Sequence, residues 1–138
     1  MKEIYVDGAC RHREGIGAWA VVAGDNYYSG ILKRNGLDSV YCELFAIRQA
    51  LIITRKYLEK TIIFTDNNAV KNLHKSRVDF QRVLQRKSKR RKIKNKSILS
   101  NVYRIYKSSP NVEIKQISRQ DNFEADGLVK QVLRAYNK

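Results

Sequence analysis

Residues 3–10, EIYVDGAC, carry an alternating apolar run straight into an aspartate. Asp-Gly between apolar residues is a strong signal for a tight hairpin, so one reading makes Asp7 a turn residue. HREG at 12–15 competes for that turn, because it lies midway between the first two apolar runs. With the turn placed there, strand 1 spans 3–9 and Asp7 stands inside or at the end of it. Two further strands follow at 16–23 and 27–33, both rich in β-formers and separated by Gly24, Asp25 and Asn26. From Val40 the period changes: Val40, Leu44, Ile47 and Leu51 follow helical spacing, with Ala46 and Ala50 permitting close packing. TIIFTD at 61–66 is a short continuous apolar run, the pattern of a strand covered on both faces. A short helix is expected in NNAVKNLHK, capped by Asp66, Asn67 or Asn68. Residues 78–107 read as helical at both ends around a highly charged middle, 111–117 alternates like a strand, and DNFEADGLVKQVLRAY reads as a closing helix. Three strands in a meander followed by helix-linked strands predict an α/β protein with a mixed sheet and helices packed on its faces.

The chain has 138 residues, enough for one domain spanning 1–138 with its own core. Its formal net charge is +15, and that charge is concentrated. Lys71–Lys107 holds 14 Lys and Arg against one acid, Asp79, a net of +13, which leaves +2 for everything else. Such a block inside a patterned region predicts a polyanionic partner rather than a solubilising tail. A membrane-surface helix fits poorly, since Ile93 is the only large apolar residue from Lys87 to Lys96 and no apolar face results. No run of about 20 apolar residues is present, and the start, MKEIYVDG, lacks a signal-peptide pattern. Cys10 and Cys42 form neither a disulfide framework nor a CxxC site. These features predict a cytoplasmic protein.

Four acids stand where solvated acids do not belong. Asp7 and Asp66 each end a strand, and if those strands are parallel neighbours both carboxylates emerge at one edge of the sheet. Glu43 shares a helical face with Ala46, Ile47 and Ala50, the face expected to meet the sheet. Asp126 lies on one face with Phe123, Val129 and Leu133, and precedes Gly127, a weak helix former. An acid on an apolar face is costly unless partnered, and a salt bridge is the structural alternative for each. Two carboxylates about 5 Å apart repel by about 3 kcal/mol at an effective dielectric of 20. Clustering therefore predicts divalent cations with a preference for oxygen ligands, Mg²⁺ or Mn²⁺. Without metal, at least one carboxylate is expected to titrate above its ordinary value. Zinc is excluded, since neither His12 nor His74 has a histidine or cysteine partner at ligand spacing.

VDGACRHREGIGAWAVV, CELFAIRQAL, FTDNNAV and NFEADGLVKQ, in this order, resemble the four characteristic blocks of type 1 ribonuclease H. Exonuclease relatives would show a D-x-E pair in the first strand, where this chain has Asp7-Gly8-Ala9. The resemblance implies an RNase H-like fold: a five-stranded mixed sheet, three strands in an antiparallel meander and two parallel, flanked by helices. It implies Asp7, Glu43, Asp66 and Asp126 as catalytic ligands of two Mg²⁺ or Mn²⁺ ions and endonucleolytic hydrolysis of the RNA strand of an RNA–DNA hybrid. One ion would activate water and the other stabilise the departing 3′ oxygen, with Asp7 bridging both and Asp66 on the water side. Glu43 would sense the 2′-hydroxyl, and Asn122 would cap the last helix.

Two positions depart from the bacterial pattern. The loop histidine expected ten residues before the last aspartate is Gln116, and ISRQDNFEAD is similar to the variant without that histidine. His12 reads as a turn residue, and Arg119 as a supporting residue near the catalytic edge. The basic region at about 74–97 matches the place where some members insert a handle that grips the hybrid. Phe80 is its only aromatic between His74 and Ser97, so phosphate contacts are expected, carried by Arg86, Lys87, Lys89, Arg90, Arg91, Lys92, Lys94 and Lys96. No protein partner is implied, and a monomer is expected. Two competing expectations are an inactive duplex-binding module, and a nuclease of the same superfamily acting on double-stranded RNA or branched DNA.

Overall fold

A computed structural model describes residues 1–85 and 95–136. Five strands, β1 (Lys2–Arg11), β2 (Ile16–Ala23), β3 (Asn26–Lys33), β4 (Thr61–Thr65) and β5 (Val112–Gln116), form one sheet in the order β3-β2-β1-β4-β5. β2 pairs antiparallel with both β1 and β3, while β4 pairs parallel with both β1 and β5. The mixed sheet and its element order are those expected. β1 continues four residues past Asp7, to Arg11, and the chain reverses through a short 3-10 turn at His12–Glu14 closed by Gly15. Asp7-Gly8 is therefore strand, and HREG is the turn. Gly24 has φ 64° in the tight link from β2 to β3, a left-handed conformation that costs glycine little.

The helices are α1 (Ser39–Ile53), α2 (Val70–Leu73), α3 (Arg77–Gln85), α4 (Lys96–Lys107) and α5 (Phe123–Tyr136). The larger core lies on one face of the sheet, where Ile4, Val6, Val21, Ile63 and Ile114 meet Leu44, Ile47 and Leu51 of α1, Phe80 of α3 and Val102 of α4. Phe80 and Tyr103 stack with centroids 3.7 Å apart, locking α3 onto α4. The other face is thinner: Ala18 and Ala20 of β2 pack against Val129 and Leu133 of α5. Small residues on β2 let α5 sit close to the sheet beside Asp7, which pairs with Ala20.

Three expectations are corrected. Val40 lies on the apolar stripe of α1 but in its first turn, and it is 41% exposed. Periodicity identifies a face without showing where the neighbouring element stops. Phe123 is 69% exposed, because Ala125, Val129 and Leu133 make the buried stripe of α5. The short α2 has Ala69 at its N-cap with no side-chain capping bond. Asn67 organises the preceding turn instead, its Oδ1 accepting the Ala69 N–H at 2.7 Å, and among the described residues Asp66 makes no capping bond.

Candidate active site

The parallel pairing of β1 and β4 matches Tyr5 with Phe64, so two residues further on Asp7 and Asp66 stand level at one end of the sheet. Asp7 is 6% exposed, and its Oδ1 accepts the Gly8 N–H at 2.9 Å. Glu43 arrives from the second turn of α1, whose start is fixed by Asp38 accepting the Tyr41 N–H at 2.8 Å. Oxygen atoms of Asp7, Glu43 and Asp66 all lie within 4.8 Å of one another. Asp126 adjoins this trio from α5, lining the same cavity close enough to Asp7 for each carboxyl to shift the other's titration. The structure thus brings together all four acids singled out in the sequence, three as a tight cluster and the fourth beside it in the same cavity.

Their electrostatics differ. Burial, then the neighbouring charge of Asp66, pushes the Asp7 carboxyl up to about 7, and the proximity of Asp126 adds to the rise. Glu43 is pushed up to about 8, again by burial first and then by Asp7 and Asp66, with Arg119 opposing. Two raised carboxyls in one cluster agree with the repulsion anticipated for acids crowded without a cation. Asp126 behaves in the opposite way. Burial alone would raise it, but the hydrogen bond and charge of Lys130, the Asp7 contact and Arg119 together hold it below the usual carboxylate range. Lys130 Nζ lies 2.8 Å from Asp126 Oδ2, and Arg119 is 3.8 Å from Oδ1.

A cavity of about 560 Å³ opens over the cluster and is also lined by Cys10, Ser39, Gln116, Arg119 and Lys130. The donors are all hard carboxylate oxygens, so the residues fit a divalent oxygen-seeking cation and no soft metal. Gln116 occupies the rim, where its amide donates to Asn68 Oδ1 at 2.7 Å. Arg119 lies in the cavity, as expected, and His12 belongs to the β1–β2 turn. Of the proposed phosphate contacts, Lys96 is exposed at the first position of α4; Arg86, Lys87, Lys89, Arg90, Arg91, Lys92 and Lys94 lie outside the described residues.

Asn122 is not the helix cap that was expected. It is fully buried, and its Nδ2 donates to the Val6 carbonyl at 2.8 Å. The amide ties the approach to α5, and so Asp126, to the residue preceding Asp7. Ser118 orders the same loop by accepting the Asp121 N–H at 3.2 Å. Lys130 was not identified from sequence; its i+4 spacing from Asp126 was the available signal.

Fold and site together define an α/β protein that gathers carboxylates from four separate elements at one end of a mixed sheet. A family model described as RNase H matches residues 1–134, and the chain belongs to that family. No curated protein matches it in sequence. Among solved structures it is similar to LC11-RNase H1, isolated from compost by a metagenomic approach, with 20% identity over 99% of this chain and 98% of that one, and a TM-score of 0.72. It is also similar to the foamy viral protease-reverse transcriptase in complex with dsDNA, with 19% identity, coverage of 94% and 92%, and a TM-score of 0.72. RNase H1 from the halophilic archaeon Halobacterium salinarum NRC-1 shares 19% identity over 97% and 98%, with a TM-score of 0.62. At these identities the structural likeness establishes the fold.

Proposed function

We propose that this protein is an endoribonuclease that hydrolyses the RNA strand of RNA–DNA hybrids, using two Mg²⁺ or Mn²⁺ ions held by Asp7, Glu43, Asp66 and Asp126. The observation that carries this reading is the convergence of three carboxylates within 4.8 Å, two of them with raised proton affinity, in a chain of the RNase H family. Bound ions would supply the Lewis acidity that activates water and neutralises the departing oxygen. The protein's own part is placement. Asp7 is fixed by the Gly8 N–H, Glu43 by its helix, and Asp126 by Lys130 and Arg119. Gln116 has no titratable group, so it takes up no proton at that rim. Arg86, Lys87, Lys89, Arg90, Arg91, Lys92, Lys94 and Lys96 would position the duplex through phosphates, without reading sequence. One catalytic domain, acting as a monomer in the cytoplasm, completes the reading. No helix among the described residues is long and apolar enough to cross a membrane.

The test incubates strand-labelled RNA–DNA hybrid, duplex RNA and duplex DNA with the wild type and Asp66→Asn, in Mg²⁺ and in Mn²⁺. Cleavage of the RNA strand of the hybrid alone is expected, reduced about a thousandfold by the substitution, as for loss of a major electrostatic group. Tight binding without cleavage in either metal would leave a duplex-binding module. Cutting of duplex RNA or DNA in preference to hybrid would place the chemistry on another substrate.

A further inference from the structure

We propose that Gly8 is a positioning residue for the carboxylate cluster: its bare Cα is the seat on which α1 docks the peptide that carries Glu43. A Cβ built on Gly8 would overlap the carbonyl carbon and oxygen of Cys42 and the amide nitrogen of Glu43, all well inside van der Waals contact. These are backbone atoms of a helix, so no rotamer change can relieve the overlap. The same residue donates its N–H to Asp7 Oδ1 at 2.9 Å. One glycine therefore fixes two of the three clustered acids, Asp7 by a hydrogen bond and Glu43 by the depth to which its helix settles. This goes beyond the four ligands and rests on the reading of the cluster as a cation site.

Gly17 provides the internal contrast. It lies opposite Cys10 on β2 and faces the same turn of α1, but a Cβ there would meet the Cys42 Sγ and, at 2.8 Å, the Leu37 Cδ2. The two closest are side-chain atoms, with the Ala9 carbonyl oxygen further off at 3.1 Å, so the worst of this crowding can be relieved by trimming Cys42. At Gly8 it cannot. Both glycines are buried, and neither has a positive φ among those observed. What each requires is space, not an unusual backbone.

The displacement needed to clear a methyl at Gly8 is on the order of 1 Å, an error that costs a constellation of this kind about a hundredfold in rate. Mn²⁺ affinity, measured by calorimetry without nucleic acid, is the direct readout. Gly8→Ala is expected to weaken it by at least about tenfold, as for other residues that orient metal ligands, with kcat on hybrid falling more than KM rises. In a double-mutant cycle, Glu43→Gln is expected to cost much less in the Gly8→Ala background than in the wild type. Costs that multiply independently would overturn the proposal, since Gly8 would then act elsewhere than through Glu43.

Should Gly8→Ala fail to fold, Gly17→Ala pushes on the same helical turn from the neighbouring strand, through the Cys42 Sγ, whose side chain is itself fully buried. It is expected to weaken Mn²⁺ binding, and Gly17→Ala/Cys42→Ala to restore it. Unchanged Mn²⁺ affinity in a destabilised Gly17→Ala protein would show that helix depth does not set the cluster, and would overturn the proposal equally. If the wild type binds Mn²⁺ through Glu43 yet cuts no hybrid, the functional reading fails and the role of Gly8 stands.

Discussion

Asp7, Glu43 and Asp66 converge within 4.8 Å in a cavity, whereas the described cations between Lys71 and Lys107 are spread over three helices. Lys71, Arg77, Arg82, Lys96, Arg104 and Lys107 are all exposed on the helices that follow β4. The anions are held by the sheet, a glycine, a buried amide and a docked helix, and their effect depends on placement to within an ångström. The cations depend on number and density, since attraction to a polyphosphate survives changes in the position of any one of them. On the proposed reading, fixed geometry serves chemistry in the first region, and spread charge serves capture in the second. The two regions should therefore fail independently and in different ways.

The sharpest way to break that separation is to replace residues 86–94 with an uncharged Gly/Ser linker. Seven Lys and Arg disappear, and hybrid affinity at moderate salt is expected to fall by about a hundredfold, with the salt dependence of log K flattened by about 4. Mn²⁺ binding should be unchanged. A parallel loss of Mn²⁺ affinity would show that the two regions are one site.

pH tests the acidic region by itself. The folded-state values of Asp7 and Glu43, about 7 and about 8, lie above those of free carboxyls, so the folded protein keeps protons that the unfolded chain has released. Their contribution to stability is thus fully present below about pH 4 and is lost as pH rises toward 8. Asp126, held below its ordinary value, works the other way and only at the acid end, losing its contribution as pH falls through that lowered value. In metal-free buffer, Tm is expected to be lower at pH 8 than at pH 5 by about 5–10 °C. Asp7→Asn should flatten this slope, and Mn²⁺ should restore Tm at pH 8. A metal-free Tm that rises over this range would contradict the crowding of the acids.

The smallest effect concerns the link between the two faces of the sheet. Asn122→Ala removes the donor to the Val6 carbonyl and leaves that carbonyl buried without it, a cost of about 1–3 kcal/mol in urea unfolding. Because Asn122 tethers the approach to Asp126, the rate on hybrid should fall as well, with the salt dependence of binding unaltered. A change in that salt dependence would mean that the tether also shapes the basic region.

The element order and the four acids were legible because each is written in local pattern. Glu43 and Asp126 stand out against apolar helical faces, and TIIFT reads as a covered strand because Ile62 and Ile63 follow one another and both are buried. The features that were not legible depend on distant partners. Asn122 resembles a cap by type and position, but its partner is the Val6 carbonyl, 116 residues away. Phe123 fits the helical spacing of the buried stripe, and only the location of β2 decides that it faces outward. Gly8 looks like half of a turn signal until the path of α1 is known. Lys130 reads as an ordinary solvated lysine until Asp126 is seen to have turned toward Asp7. In each case sequence spacing identifies the chemical group while tertiary placement chooses its counterpart.

Asn95, at the foot of α4, has φ 64° and donates its Nδ2 to both carboxylate oxygens of Asp38, at 2.9 and 3.1 Å. Asp38 also caps α1, so the chain re-enters the described fold at a point bolted to the helix that bears Glu43. On the other side, Phe80 and Leu84 anchor α3 in the core. Both abutments of the intervening nine residues are thus secured independently of what spans them. Closing a longer or shorter span between fixed ends changes the entropy only slowly with length. If that span grips a polyanion as proposed, its affinity can accordingly be retuned by insertion, trimming or recharging, while the acidic cluster is left untouched.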